Sequence, residues 1–384
     1  MYSIFIFLGQ YIFDILAPAR STYMQSWSLP AMEHREIADG LLLRIKGGDY
    51  FVSSGAEEVR CTLRGRFRIE RELEAPLPVV GDTVSFRRER DGDTRGPRGL
   101  VMAVMPRKSI LARTDTSQKK GYQVLGANMD RAILVFSTKQ PDLNLRLLDR
   151  MLVAAESGLM EAVICINKMD LAESRSEVEQ RLISYRTIGC RIVLCSAKTG
   201  DGVAELEKFM KDSLSILAGP SGSGKTSLLS CIQPGLELAV GHVSARTGKG
   251  RHTTTHFELH RLDMGGYLGD TPGIREFGIR GVTKEKLWSF FQEFAPFRGA
   301  CRFATCTHSH EPECSVKDAV ESGLVSRSRY ESYLRILETL PEGQRAGDAR
   351  GERSHRAGDE RRRGARAKKD DGGPLKKAAI RKKG

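Results

Sequence analysis

Along the first third of the chain, apolar residues come in short runs broken by turn signals. Leu41-Leu42-Leu43-Arg44-Ile45 leads to a turn at Gly47-Gly48, and Tyr50-Phe51-Val52 and Val59 to Phe67 follow. After Pro76 and Pro78 come Gly81 to Phe86 and then Leu100 to Met105. Five short strands without a long helical period predict a small β-barrel over residues 40–113. From Asp130 the pattern becomes solid apolar blocks separated by helical spacing. Arg131 to Phe136, Ala162 to Ile166, Ile192 to Leu194 and Leu214 to Leu217 read as buried strands. Leu143 to Ser157, Ser174 to Tyr185 and Asp201 to Lys211 read as helices, and Phe257 to Leu268 should include one more strand. Buried strands alternating with helices imply a parallel sheet covered on both faces, here over 125–283. Helical patterns at Lys284 to Phe294 and Ser326 to Leu340 then flank a cysteine cluster within 284–340.

The two ends read differently. From Pro341 the chain is Gly, Arg, Lys and Asp with few apolar residues, so 341–384 is expected to be disordered. Residues 1–39 are expected to be an unstructured extension. Its apolar run, Ile4 to Leu16, is too short to span a bilayer and has no preceding positive charge to make a secretory signal. It reads as an interfacial helix or as the product of a start placed too far upstream, with Met24 and Met32 as alternatives.

Charge sharpens this picture. Lys and Arg number 61 against 48 Asp and Glu, a net +13. The stretch from Pro341 on holds 15 basic and 7 acidic residues, so it carries +8 and leaves +5 for the rest. A polyanionic partner is expected, nucleic acid before membrane. Arg64, Arg66, Arg68, Arg87 and Arg88 lie on or beside the barrel strands, where they suit an RNA platform or a solvated face equally well. With 28% charged and 40% hydrophobic residues, collagen-like, coiled-coil and multi-span membrane classes are excluded. Eight cysteines are too few for a disulfide scaffold, and the clustering of three suits a reducing compartment with one metal site. A cytoplasmic protein is the expectation.

The strongest chemical signal is Gly219-Pro220-Ser221-Gly222-Ser223-Gly224-Lys225-Thr226, followed by Ser227. It stands between the fourth strand and a helix, as a phosphate-binding loop requires. Its glycines let backbone N–H groups close round phosphate oxygens at a helix start. Lys225 should reach the β- and γ-phosphates, and the Thr226 hydroxyl should ligate Mg²⁺. A loop of this wording also suits ATP-driven transporters and nucleotide kinases.

Asn167-Lys168-Met169-Asp170 closes the second strand and resembles a guanine-reading element. A carboxylate at Asp170 accepts from guanine N1–H and the 2-amino group, which adenine does not offer. Ser196-Ala197-Lys198, after the next strand, matches the companion guanine loop. Asp270-Thr271-Pro272-Gly273 supplies a carboxylate to hold Mg²⁺ through water and a Gly273 N–H to sense the γ-phosphate. Upstream, Gly250-Arg251-His252-Thr253-Thr254-Thr255 offers switch hydroxyls, of which Thr254 is taken to complete the metal shell. The guanine reader precedes the phosphate loop, the reverse of the order in ordinary GTPases; the same sheet can be built from a permuted chain, because domain termini often lie close together.

Cys301, Cys306, His308 and Cys314 have the spacing C-x4-C-x-H-x5-C. Three thiolates and one imidazole fill a tetrahedral Zn²⁺ shell of the closed, structural kind. Three buried cysteines beside a surface histidine is the plain alternative, and His310 is a spare ligand candidate.

Together these motifs, with Gly81-Asp82-Thr83-Val84, resemble the circularly permuted GTPases that depend on the small ribosomal subunit, over about Gly40 to Leu340. The resemblance implies an α/β P-loop GTPase core, circularly permuted, with an N-terminal OB-fold and a C-terminal helical zinc subdomain that docks on ribosomal RNA. It also implies a GTP hydrolase, stimulated by the small subunit during late maturation, with Mg²⁺, GTP and GDP as ligands. A monomer without membrane contact is expected. Thr226 stands where the family often has Ser, which keeps the hydroxyl. The residue after the Asp-x-x-Gly motif is Ile274, where many GTPases have a water-orienting Gln. His252 is therefore the candidate catalytic group, on its place beside the threonines and on the resemblance; packing or RNA contact is its alternative role. Two other classes remain to be weighed. A P-loop ATPase or kinase would need no guanine reader, and an RNA-binding protein with a vestigial site would not need Asp170, Lys225, Thr226 and Asp270 together.

Overall fold

The computed structural model describes residues 37–63, 77–89, 98–114, 122–236, 257–270 and 278–340. It divides into two units. The first is a closed barrel of β1 (Ile37–Lys46), β2 (Asp49–Ser54), β3 (Glu57–Leu63), β4 (Thr83–Arg88) and β5 (Arg98–Val104), in the order β1-β2-β3-β5-β4. Every neighbouring pair is antiparallel apart from β3 and β5, among those whose register is defined. Alternate side chains enter the barrel, and Leu42, Val52, Val59, Cys61, Val84, Phe86 and Val101 are fully buried. Gly40 is a packing necessity: a Cβ there would lie 2.4 Å from Val52 Cγ1 and 2.6 Å from the Ser53 carbonyl. Of the barrel arginines, Arg64, Arg66 and Arg68 lie outside the described residues. Arg88 pairs with Glu57 at 2.8 Å.

The barrel ends earlier than residue 113. Ile110–Thr114 (β6) pairs with Tyr122–Ala127 (β7) in a two-stranded ladder that belongs to the second unit. The apolar pattern alone could not assign β6 to one sheet or the other, because a short strand reads alike in both.

The second unit is built on a six-stranded sheet. Its strands are β8 (Arg131–Ser137), β9 (Glu161–Asn167), β10 (Arg191–Leu194), β11 (Leu214–Ala218), β12 (Glu258–Arg261) and β13 (Tyr267–Asp270), ordered β10-β9-β8-β11-β13-β12. All neighbours are parallel except the β12–β13 hairpin at the edge. The hairpin turns at Gly265-Gly266, both at positive φ. Helices α1 (Leu145–Ser157), α2 (Arg175–Arg181), α3 (Ile183–Thr187), α4 (Val203–Met210) and α5 (Lys225–Ile232) follow the strands. The Asn144 side chain caps α1 by accepting from Leu147 N. One core joins Ile133, Val135, Val163 and Val193 of the sheet to Leu206, Leu228 and Leu229 of α4 and α5.

Two helical expectations are corrected. Ser174 to Tyr185 is not one helix: it breaks at Leu182, whose φ of −101° and ψ of 3° leave the α-helical range. Lys284 to Phe294 forms tight 3₁₀ turns, Leu287–Phe290 and Gln292–Phe297, instead of an α-helix. Its aromatic residues are weak helix formers, and Pro296 blocks α-helical bonding. Helix α6 (Ser315–Glu321), inside the predicted zinc region, had no strong periodic signal; α7 (Arg327–Thr339) agrees with its pattern.

The turns and α6–α7 share a second core of Leu287, Phe291, Phe294, Val316, Tyr333 and Ile336, which also takes in Val153 of α1. Beside it lies a buried ionic knot. Arg329 NH1 donates to Asp149 Oδ1 at 2.7 Å, and its Nε and NH2 donate to the two Glu293 oxygens at 2.7 and 3.0 Å. Tyr185 Oη donates to the same Asp149 oxygen at 2.8 Å. The guanidinium lies over the rings of Tyr185 and Phe291, 5.2 and 4.8 Å from their centroids. No helix among the described residues is long and apolar enough to cross a membrane.

Candidate functional site

The turn after β11 is shaped by its glycines. Gly219 has φ +147°, and a Cβ there would sit 2.0 Å from the Val135 carbonyl. Gly224 has φ +92°, and a Cβ there would strike Asn167 Nδ2 at 2.2 Å. The loop thus hugs the neighbouring strand and delivers Lys225 to the first position of α5. Lys225 Nζ bends back to donate to the Gly219 and Pro220 carbonyls at 2.8 Å each. Ser221, Thr226 and Ser227 are exposed at the rim, while Ser223 is buried.

Asn167, at the end of β9, ties three loops together. Its Nδ2 donates to the Ser223 carbonyl at 2.9 Å, and its Oδ1 accepts from Ala197 N at 3.0 Å. The side chain is 1% exposed, so both bonds are made in a dry interior where an unpaired amide is costly. Asp170 stands three residues on. Its Oδ1 accepts from Ser196 Oγ at 2.6 Å, and Lys198 Nζ lies 3.9 Å from Oδ2. Met169 N donates to the Cys195 carbonyl, closing the same corner. Lys168 adopts φ +60°, which throws its side chain across the loop after β8, where Nζ donates to the Gln140 carbonyl. This arrangement presents backbone N–H groups, an ammonium and a carboxylate round one opening at the carboxyl ends of parallel strands, where α/β sheets take ligands.

Two participants were not visible in the motifs. Thr138 donates from Oγ1 to the Lys168 carbonyl at 2.7 Å, and Gln140 receives the Lys168 ammonium. Both sit in the Thr138–Pro141 turn, whose wording matches no phosphate or guanine pattern. Asp270 ends β13 opposite Glu258, next to β11 in the sheet. His252, Thr254 and Gly273 lie outside the described residues.

A second site lies in the C-terminal region. Cys301, Cys306, His308 and Cys314 bring their ligand atoms within 4.8 Å of one another. Cys301 Sγ is 3.5 Å from His308 Nδ1 and 3.9 Å from Cys314 Sγ, and Cys314 Sγ is 3.4 Å from that nitrogen. Zinc bonds of about 2.3 Å to sulfur and 2.0–2.1 Å to nitrogen give tetrahedral edges of about 3.8 Å between sulfurs and about 3.5 Å between sulfur and nitrogen. The donor set and its spacing therefore fit a tetrahedral dication. Burial pushes the Cys306 thiol up to about 12 and lowers the His308 imidazole below its ordinary value. Three thiolates here need a cation to hold them.

The surroundings fix this knuckle. His308 N donates to Cys306 Sγ at 3.3 Å. The Glu311 carboxylate accepts from Thr307 N at 2.7 Å and Ser309 N at 3.0 Å. Tyr330 Oη donates to the His308 carbonyl at 2.8 Å. Of the two candidate histidines, His308 joins the cluster; His310 instead has Nδ1 3.0 Å from Ser309 Oγ. A φ of +57° at His308 re-aims the ring inward, which no spacing argument reveals.

Comparison with known proteins agrees with this architecture. Residues 104–280 match the RsgA GTPase family model and residues 39–95 the RsgA N-terminal domain model. A protein of Caldanaerobacter subterraneus named small ribosomal subunit biogenesis GTPase RsgA is 39% identical over 81% of this chain and 98% of its own length. A protein of the same name from Chlorobaculum parvum is 40% identical over 80% of this chain and 99% of its own. Among solved structures, YjeQ from Thermotoga maritima is similar with TM-score 0.64 and 35% identity, covering 79% of this chain and 98% of that one. YloQ, described as a circularly permuted GTPase, gives TM-score 0.62 and 30% identity over 81% and 97%. With its permuted P-loop core, its five-stranded barrel and near full-length likeness to these proteins, the chain belongs to the RsgA family of GTPases.

Proposed function

We propose that this GTP hydrolase acts in late maturation of the small ribosomal subunit, and that the subunit stimulates its hydrolysis. The observation that carries the reading is Asn167, whose one buried amide locks the phosphate loop, the Asn-Lys-Met-Asp corner and the Ser196–Lys198 loop into a single pocket. Such locking suits a nucleotide read at both ends. The names of the relatives supply the subunit.

In this reading the N–H groups of Ser221 to Gly224, with Gly219 and Pro220 shaping the turn, surround the β- and γ-phosphates, and Lys225 leaves its carbonyl partners to meet them. Thr226, Thr254 and Asp270 hold Mg²⁺, directly or through water, with Ser227 beside them. Bound Mg²⁺ supplies charge neutralisation at the phosphate oxygens. The Gly273 N–H senses the γ-phosphate. Asp170, oriented by Ser196, accepts from guanine, flanked by Lys168, Met169, Ala197 and Lys198. Cys301, Cys306, His308 and Cys314 hold one structural Zn²⁺.

Three results test these roles. Asp170→Asn removes one acceptor and reverses a dipole, so GTP binding should weaken by about 2–4 kcal/mol, the scale of a charge-assisted pair of hydrogen bonds. Competition between GTP and ATP at equilibrium checks it; unchanged selectivity would refute the guanine role. Separately, GTP turnover titrated with purified small subunits should rise and saturate. His252→Ala should bind GTP normally yet lose stimulated turnover by roughly 10²-fold, the scale of a positioned acid–base group. A variant that keeps full stimulation would remove His252 from the chemistry.

A further inference from the structure

Strands β8 and β9 pair as far as Ser137 opposite Asn167, and the residue after β8 carries the pairing round a corner. Thr138 N donates to the Asn167 carbonyl at 3.1 Å, and Thr138 Oγ1 donates to the Lys168 carbonyl at 2.7 Å. Lys168 stands at φ +60° and ψ +38°, the left-handed region that a residue with a Cβ seldom adopts. Nothing in a lysine favours that conformation, so it is held from outside. The same Lys168 carbonyl accepts from Leu171 N at 2.9 Å and so opens the tight turn Met169–Leu171, which carries Asp170 to the Ser196 hydroxyl. One carbonyl thus ties the twist at Lys168 to the direction of Asp170.

The holder is itself held. Ser137 Oγ donates to the Pro141 carbonyl at 2.7 Å and closes the 137–141 turn. Thr138 is 6% exposed, so its hydroxyl bond is made largely out of water and is costly to leave unmade. The other link between these two segments is a weaker one: the Lys139–Glu173 pair, 2.5 Å apart, is exposed at both ends.

We propose that Thr138 is a positioning residue for the base end of the nucleotide: its hydroxyl holds Lys168 left-handed and thereby aims the Asp170 carboxylate at two donors of guanine at once. The inference rests on the guanine role proposed for Asp170. Without the hydroxyl, Lys168 relaxes towards extended backbone, the peptide joining it to Met169 rotates, and the carboxylate leaves the line of N1–H and the 2-amino group. A base that offers one of those donors then loses less than a base that offers both. The phosphate loop keeps its own tie to the Asn167 side chain.

The test compares Thr138→Val, which keeps the branched shape without the hydroxyl, with Thr138→Ser, which keeps the hydroxyl. Equilibrium binding of GDP and IDP is measured on the full chain, inosine being guanosine without its 2-amino group. Thr138→Val should bind GDP about five- to tenfold more weakly, the scale of one hydrogen bond, and its preference for GDP over IDP should shrink about threefold. Thr138→Ser should stay within about twofold of the wild type on both measures. In a Lys168→Gly background the left-handed conformation carries no strain, so Thr138→Val should reduce the preference no further, the sign of two residues acting through one conformation. Wild-type binding by Thr138→Val would overturn the proposal. So would an equal loss for GDP and IDP, a Ser variant as impaired as the Val variant, or additive losses with Lys168→Gly. Asp170→Asn, measured alongside, keeps the two readings apart. If it leaves the preference for GDP intact, the guanine role falls and this inference with it. If it abolishes the preference and Thr138→Val leaves it untouched, the inference about Thr138 alone is wrong.

Discussion

Removing the metal ligands of the Cys301–Cys314 knuckle is expected to have the largest structural effect of any small change to this protein. Structural zinc contributes about 10–16 kcal/mol of apparent binding free energy in isolated finger peptides, and here part of the neighbouring core remains to offset the loss. Cys306→Ser leaves a hydroxyl that does not ionise at neutral pH beside two thiols and an imidazole. The loop Cys301–Cys314 meets the core mainly through the cluster residues themselves, with Cys314 in the core and the His308 ring against Trp288 and Phe294, and is otherwise held by Glu311, Tyr330 and Tyr333. Amide exchange should therefore accelerate over residues 301–340, while protection of the sheet strands β8 to β11 persists. Elemental analysis should find one zinc per wild-type chain and little in the variant. A wild type purified without chelators and devoid of zinc would refute the assignment.

Arg329→Ala is expected to destabilise the second unit by about 3–5 kcal/mol, the cost of breaking a buried ion pair from one side. The substitution leaves Asp149, 1% exposed, with the hydroxyls of Tyr185 and Ser332 and no cation, and strips Glu293 of both its guanidinium bonds. It also empties the space between two aromatic rings. Burial already raises the neighbouring Glu156 carboxyl to about 7, against the pull of Arg329. Without that pull it rises further. A carboxyl raised in the folded state favours folding below its unfolded value, and that contribution is lost as pH climbs through the folded value. The destabilisation should thus be smaller near pH 5 than near pH 8. Urea unfolding at both pH values checks this; an effect under about 1 kcal/mol at both would mean that the knot is not structural.

Much of this was legible in the chain. Short apolar runs broken by turn signals in the first third give the barrel strands to within a few residues. Solid apolar blocks give β8, β9, β10 and β11, because a parallel sheet is buried on both faces. Strand ends then carry Asn167, Ser196 and Gly219 to a common edge without further information. What could not be read depends on contacts distant in sequence. Arg329 looks like one more surface arginine in a helix; its burial needs Asp149, which is 180 residues away. The Thr138–Gln140 turn gains its role only because Lys168 reaches it. The aromatic turns at 287–297 follow helical spacing but form 3₁₀ turns, the second with Pro296 inside it.

The order of strands across the sheet has a consequence for the chain as it leaves a ribosome. β8, β9 and β10 are neighbours in sequence and in space, joined by short βαβ links, so their contacts are local and form early. The nascent chain thus completes the Asn167–Asp170 corner while residues 219–226 are still inside the exit tunnel. Until β11 emerges, the far edge of β8 is an open row of backbone donors and acceptors, the kind of edge that recruits foreign strands. In the unpermuted arrangement, where the phosphate loop comes first, the central strand is available from the start and that edge closes sooner. Permutation therefore keeps an open edge through the middle of the domain: β11 closes that of β8 and presents its own, which β13 then covers.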